Sequence, residues 1–101
     1  MAAHSGPWRL DKDEFWLQHW IGEESPPLER IAIVRTWLES RKVDPLAGAL
    51  PVPGFPPEWR HAWIRGTMDA NQRVVTCTYR LDADAALVII DMISTQSWPV
   101  S

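Results

Sequence analysis

The chain has 101 residues, 46% of them apolar and 23% charged, with a net charge of −3. That describes one domain with a single core and excludes a disordered tail. The acidic balance argues against bulk electrostatic binding to nucleic acid, which calls for a basic domain or stripe.

Other classes fall away on residue type. Cys77 is the sole cysteine, so no internal disulfide forms, and no Cys/His cluster points to zinc. No glycine-rich phosphate loop appears, and no apolar run approaches the ~18 residues of a membrane helix. No signal-peptide pattern opens the chain. The expectation is a protein of a reduced, cytoplasmic compartment with no metal and no cofactor. Seven tryptophans stand out: Trp8, Trp16, Trp20, Trp37, Trp59, Trp63 and Trp98. They serve either as core or as an exposed aromatic surface for a partner.

Residues 1–7, "MAAHSGP", are small and polar and are expected to be loosely held. "PWRL" at 7–10 fits a short edge strand. Asp11 is placed to cap a first helix, with Glu14 at capping-box spacing. Trp16, Leu17, Trp20 and Ile21 then share one face, and Gly22 offers a stop. Ser25 and Pro26 read as the cap and first residue of a second helix. Its stripe is Leu28, Ile31, Val34 and Leu38, with Ile33 and Trp37 beside it. A link of about three residues predicts an antiparallel helical hairpin.

Residues 44–58, "DPLAGALPVPGFPPE", hold five prolines and predict a long ordered loop, pinned by Leu46, Leu50, Val52 and Phe55. The period then changes to two. "WRHAWIRGT" sets Trp59, His61, Trp63 and Arg65 on one side. "RVVTCTYRL" sets Val75, Cys77, Tyr79 and Leu81 on one face and Arg80 on the other. "ALVIIDMIS" reads as a central strand covered on both faces. The short turns "MDANQ" and "DADA" make the pairing antiparallel. The expected fold is α+β: an N-terminal antiparallel helical hairpin packed on a three- to four-stranded antiparallel sheet.

The order Asp44-Pro45, Pro53-Gly54, Arg65, Arg73, Tyr79-Arg80 and Asp82, after two helices, resembles the RelE/ParE toxin superfamily of bacterial toxin–antitoxin modules over about residues 10–94. The resemblance implies a cytoplasmic bacterial toxin that either cleaves mRNA on the ribosome or poisons DNA gyrase, and that is neutralised by an antitoxin. It makes His61, Arg65, Tyr79 and Arg80 candidate catalytic residues. RNA cleavage needs a base for the 2′-OH, cations for the developing phosphorane and an acid for the leaving oxygen. Trp16, Trp20 and Trp37 are candidates for the partner-binding surface. The pattern departs from nuclease members at its end, since no Lys, Arg or His follows Arg80. That keeps open a non-catalytic interaction module, whether inhibitor, immunity-like or antitoxin-like. A small-molecule pocket under the Pro-rich loop, lined by Trp59 and Trp63, is a further reading.

Asp91 sits in an otherwise apolar run, where an unpaired carboxylate is costly to bury. It is expected opposite a cation, Arg73, Arg80 or Arg65, either as a structural cross-strand pair or as the group that orients a functional arginine. Cys77 reads as a small buried residue.

Overall fold

The computed structural model describes residues 7–99, and the expectation for residues 1–6 lies outside them. The elements run β1 (Arg9–Asp11), α1 (Asp13–Glu24), α2 (Leu28–Ser40), β2 (Leu50–Pro51), β3 (Trp59–Trp63), β4 (Arg73–Asp82) and β5 (Leu87–Ser97). The five strands form one sheet in the order β1-β5-β4-β3-β2. The expected meander of β3, β4 and β5 is its antiparallel centre. Two short edge strands extend it: β2 pairs antiparallel with β3, whereas β1 runs parallel to β5. The sheet is therefore mixed, and the "PWRL" edge strand is β1.

The helix boundaries follow different signals from those expected. Asp11 lies in β1, and Lys12 takes the cap position of α1 in the left-handed region (φ 62°) with no side-chain cap. Glu14 reaches across to Arg35 Nη1 at 2.6 Å rather than back to the helix start. That bond holds its carboxyl below the usual range. Gly22 is inside α1, and Ser25 closes the helix at φ 46°, donating its N–H to the Ile21 carbonyl. Pro27 in turn caps α2. Tandem prolines lack the N–H groups that a first turn leaves unsatisfied, so α2 starts here at no hydrogen-bond cost. The three-residue link and the Glu14–Arg35 pair fold α2 back beside α1, as expected of a hairpin.

The helices cover one face of the sheet. Leu17 and Trp20 of α1 and Val34 and Leu38 of α2 meet Val75, Cys77, Tyr79, Val88, Ile90 and Ile93 in one core. Leu28, expected in the stripe, is exposed because it lies at the first position of α2, beyond the sheet. Trp20 is 1% exposed, and its Nε1–H donates to Thr95 Oγ1 at 2.9 Å. It is a core residue and cannot meet a partner as expected; its indole is large enough to span from helix to sheet.

β5 carries the main irregularity. Thr78 is opposite Met92, but Tyr79 is opposite Ile90, so Asp91 is the extra residue of a β-bulge. The bulge lets both Ile90 and Ile93, three apart, point into the core. It also turns Asp91 and Met92 out to solvent. The expected burial of Asp91 against an arginine is thus overturned, and among the described residues it forms no salt bridge. β5 is not covered on both faces either, since Met92 is exposed.

The Pro-rich segment is tied down mainly by polar groups, with Ala49 against the core and Val52 half-buried. Leu46, Leu50 and Phe55 are exposed. The Tyr79 hydroxyl donates to the Pro45 carbonyl, and Arg41 Nη1 donates to the Ala47 carbonyl at 2.6 Å. Phe55 does find a neighbour, standing edge-on to Trp59 with ring centroids 5.4 Å apart.

Candidate functional site

With both helices on one side, no helix covers the other face of the β3–β4–β5 sheet, although Val74 and Thr76, toward its Trp98 end, are buried. Antiparallel partners share a face, so the register defines its rows. Trp59, Arg80 and Ile89 form one row, His61, Thr78 and Met92 the next, and Trp63, Thr76 and Ser94 the third. Trp98 follows β5 and stands edge-on to Trp63 at 4.9 Å between centroids.

His61 and Arg80 are brought together on this face, in adjacent rows. His61 Nδ1 lies 3.2 Å from Thr78 Oγ1, which leaves Nε2 as the ring's other exchangeable position. Partial burial pulls the His61 pKa below its ordinary value, so the ring is neutral at pH 7. A neutral imidazole is able to accept a proton. The Arg80 guanidinium sits 5.9 Å from the Trp59 ring centroid, a cation–π distance. Arg65 lies just past the end of β3, exposed. Tyr79 does not join them. It is opposite Arg60 on the helix-covered face, fully buried, with its hydroxyl on the Pro45 carbonyl. Burial pushes its pKa up, so the phenol stays protonated. Strand alternation separates Tyr79 from Arg80, and no bulge intervenes on β4 to undo it.

A second feature wraps the free edge of β3. A groove of about 1110 Å³ runs between α2 and that edge, with Ile33, Trp37, Arg41, Trp63, Arg65 and Trp98 among its walls. Trp63 lines it as expected for a pocket near the Pro-rich loop, but Trp59 does not, being turned toward Phe55. Trp37, a candidate for the partner surface, instead packs edge-on to Tyr79 and under the Arg41 guanidinium at 4.3 Å. Trp16 stays partly exposed on α1, edge-on to Phe15 and His19.

Three contributors escaped the sequence reading. Thr78 and Trp98 had no signal, because a cross-strand partner depends on register and a residue beyond β5 depends on the path of the chain. Arg41 had one. It stands three residues after Leu38 and four after Trp37, so it continues the inward stripe of α2.

No family model matches the chain, and no curated protein sequence does. Solved structures do. The toxin–antitoxin complex RelBE2 of Mycobacterium tuberculosis superposes with a TM-score of 0.62 at 14% identity, covering 95% of this chain and 99% of the other. The E. coli toxin RelE, as a double arginine-to-alanine mutant in the free state, superposes with a TM-score of 0.59 at 16% identity. It covers 86% of this chain and 81% of its own. The chain has the RelE-like toxin fold, as its sequence pattern suggested.

Proposed function

We propose that this chain is the toxin of a bacterial toxin–antitoxin pair, working in the cytoplasm, and that its open sheet face cleaves mRNA during translation. The observation that carries the reading is a neutral histidine and an arginine in adjacent rows of the helix-free face of a RelE-like fold. In the reaction, His61 takes the proton of the RNA 2′-OH. The 2′-oxygen bonds to the adjacent phosphorus, and Arg80, aided by Arg65, stabilises the charge on the phosphorane. The P–O5′ bond then breaks to give a 2′,3′-cyclic phosphate and a 5′-hydroxyl whose proton comes from solvent water. Trp59 and Trp63 flank His61 on its strand and supply faces on which bases stack. Tyr79 has no place in this chemistry, since its hydroxyl is committed to Pro45 on the far side of the sheet. The antitoxin is proposed to meet the helix pair, where Phe15 and Trp16 leave aromatic surface on α1.

A second reading draws on a specific observation. Trp63, Met92 and Trp98 are exposed apolar residues, and no lysine follows Lys42. That composition suits a non-catalytic interaction module, and a poison of gyrase would share it.

Induced expression in a bacterial host separates these. Wild type is expected to arrest growth and protein synthesis, while Arg65→Ala/Arg80→Ala, soluble at the same level, does not. Arrest by both proteins would keep a toxin but remove the proposed site. Normal growth with soluble wild type would overturn the toxin reading in favour of the interaction module.

A further inference from the structure

We propose that the groove between α2 and the free edge of β3 binds a small amphipathic carboxylate, an apolar or aromatic body with one anionic group, and that Arg41 receives the anion. This goes beyond the toxin reading and does not rest on it.

Arg41 is 4% exposed, yet among the described residues it forms no ion pair. Its acceptors are all neutral: the Ala47 carbonyl, the Tyr79 hydroxyl at 3.4 Å and Ser40 Oγ at 3.1 Å. A guanidinium carries five donors and is never deprotonated, so the positive charge persists. Buried charges are ordinarily paired, and this one is not. The Tyr79 phenol and the Cys77 thiol nearby both have pKa values raised by burial and stay neutral. Arg60, opposite Tyr79 on the same face, adds a second positive charge, and its buried Nε has no hydrogen-bond partner among the described residues.

The groove repeats this imbalance. Among the described residues its charged walls are Arg41 and Arg65, with no Asp or Glu, in a chain with three more acidic than basic residues. The remaining walls are largely apolar, with three tryptophans, Trp37, Trp63 and Trp98. Its volume, about 1110 Å³, is that of a generous small-molecule site.

The backbone argues for a small molecule over an added peptide strand. Ile64 donates its N–H to the Val75 carbonyl, so residue 64 faces β4 and Trp63 turns its backbone groups outward. His61, the previous outward residue, is already opposite Leu50 of β2. Beyond Arg65, Gly66 turns the chain at φ 86°, with Ile33 packed 3.7 Å from where a Cβ would stand. The free edge is too short for a ladder, whereas the aromatic walls and the buried cation remain available to a compact ligand.

The test is calorimetric titration of the full chain with 1-naphthoate and with its neutral counterpart 1-naphthamide. Indole N–H resonances are followed in parallel by NMR. Naphthoate is expected to bind at least tenfold more tightly than naphthamide, shifting Trp37, Trp63 and Trp98 and leaving Trp16 unmoved. Arg41→Gln is expected to erase the tenfold preference. Should that variant fail to fold, Arg65→Ala in the folded chain is expected to narrow the preference, and the wild-type ratio stands as a test without any variant. Equal affinity for the two compounds would overturn the proposal. So would no binding of either at millimolar concentration, or shifts confined to tryptophans outside the groove.

Discussion

Tyr79 donates to the Pro45 carbonyl and receives a hydrogen bond from Arg41, so its hydroxyl joins the sheet, α2 and the Pro-rich segment. Tyr79→Phe keeps the ring and leaves a buried carbonyl and a buried guanidinium short of a partner. The expected cost is about 1–3 kcal/mol, read as a lower urea midpoint at unchanged slope. Asp91→Ala should behave oppositely. An exposed bulge residue without a salt bridge is expected to change stability by no more than about 0.5 kcal/mol. A loss of several kcal/mol in the same urea titration would restore the buried pair. His61 carries a pH signature. Its pKa is lowered in the folded state, so the unfolded chain binds the proton more readily. Its contribution is full above the unfolded value of about 6.5 and is lost as pH falls through the folded value. Urea midpoints from pH 7.5 to 5 should fall less steeply for His61→Gln than for wild type; parallel curves would contradict the burial of the ring. At this scale the sequence was legible where strand alternation decides the outcome. His61 and Arg80 fell on one face as parity allows. Asp91 was misread because a bulge changes parity without a mark in the residue types.

The bulge is the element on which the register of β5 turns. Val88 and Ile90 face the helices on one side of Asp91, and Ile93 does so on the other. Deleting Asp91 forces regular alternation, so one half of β5 must turn its apolar set to the open face. The expected loss exceeds about 3 kcal/mol, the scale of one large buried side chain removed, or folding fails outright. A deletion variant with wild-type melting behaviour would show that the bulge is not needed. Element existence was legible here: both helices and all three long strands follow from period and turn chemistry. Their ends were less so. Ser25 looks like a helix start but is the αL residue that ends α1, because Pro26 and Pro27 push the next start onward. Of the two edge strands, β1 was legible as "PWRL" though not its partner, and β2 was not legible at all. β2 is two residues long with a proline, and β1 depends on a parallel partner nearly 80 positions away, at Leu87–Ile89.

The molecule as a whole is two-sided. Helices seal one face of the sheet, and the other keeps His61, Arg80, Trp59 and Trp63 in contact with solvent or only partly covered. The fold was largely readable because its apolar pattern demands such a sheet. The groove was legible only in part, through Trp63 and the Pro-rich loop, since its other walls, Trp37, Arg41 and Trp98, come together from α2 and the segment after β5. Cleavage of RNA by the open face is read most directly as mRNA integrity in a reconstituted translation reaction given the purified chain. Wild type is expected to cleave the mRNA, and His61→Ala/Arg80→Ala to do so at a rate lower by about a hundredfold or more, the scale of a lost acid–base group. Intact mRNA beside a fully translating ribosome, or equal cleavage by both proteins, would contradict it.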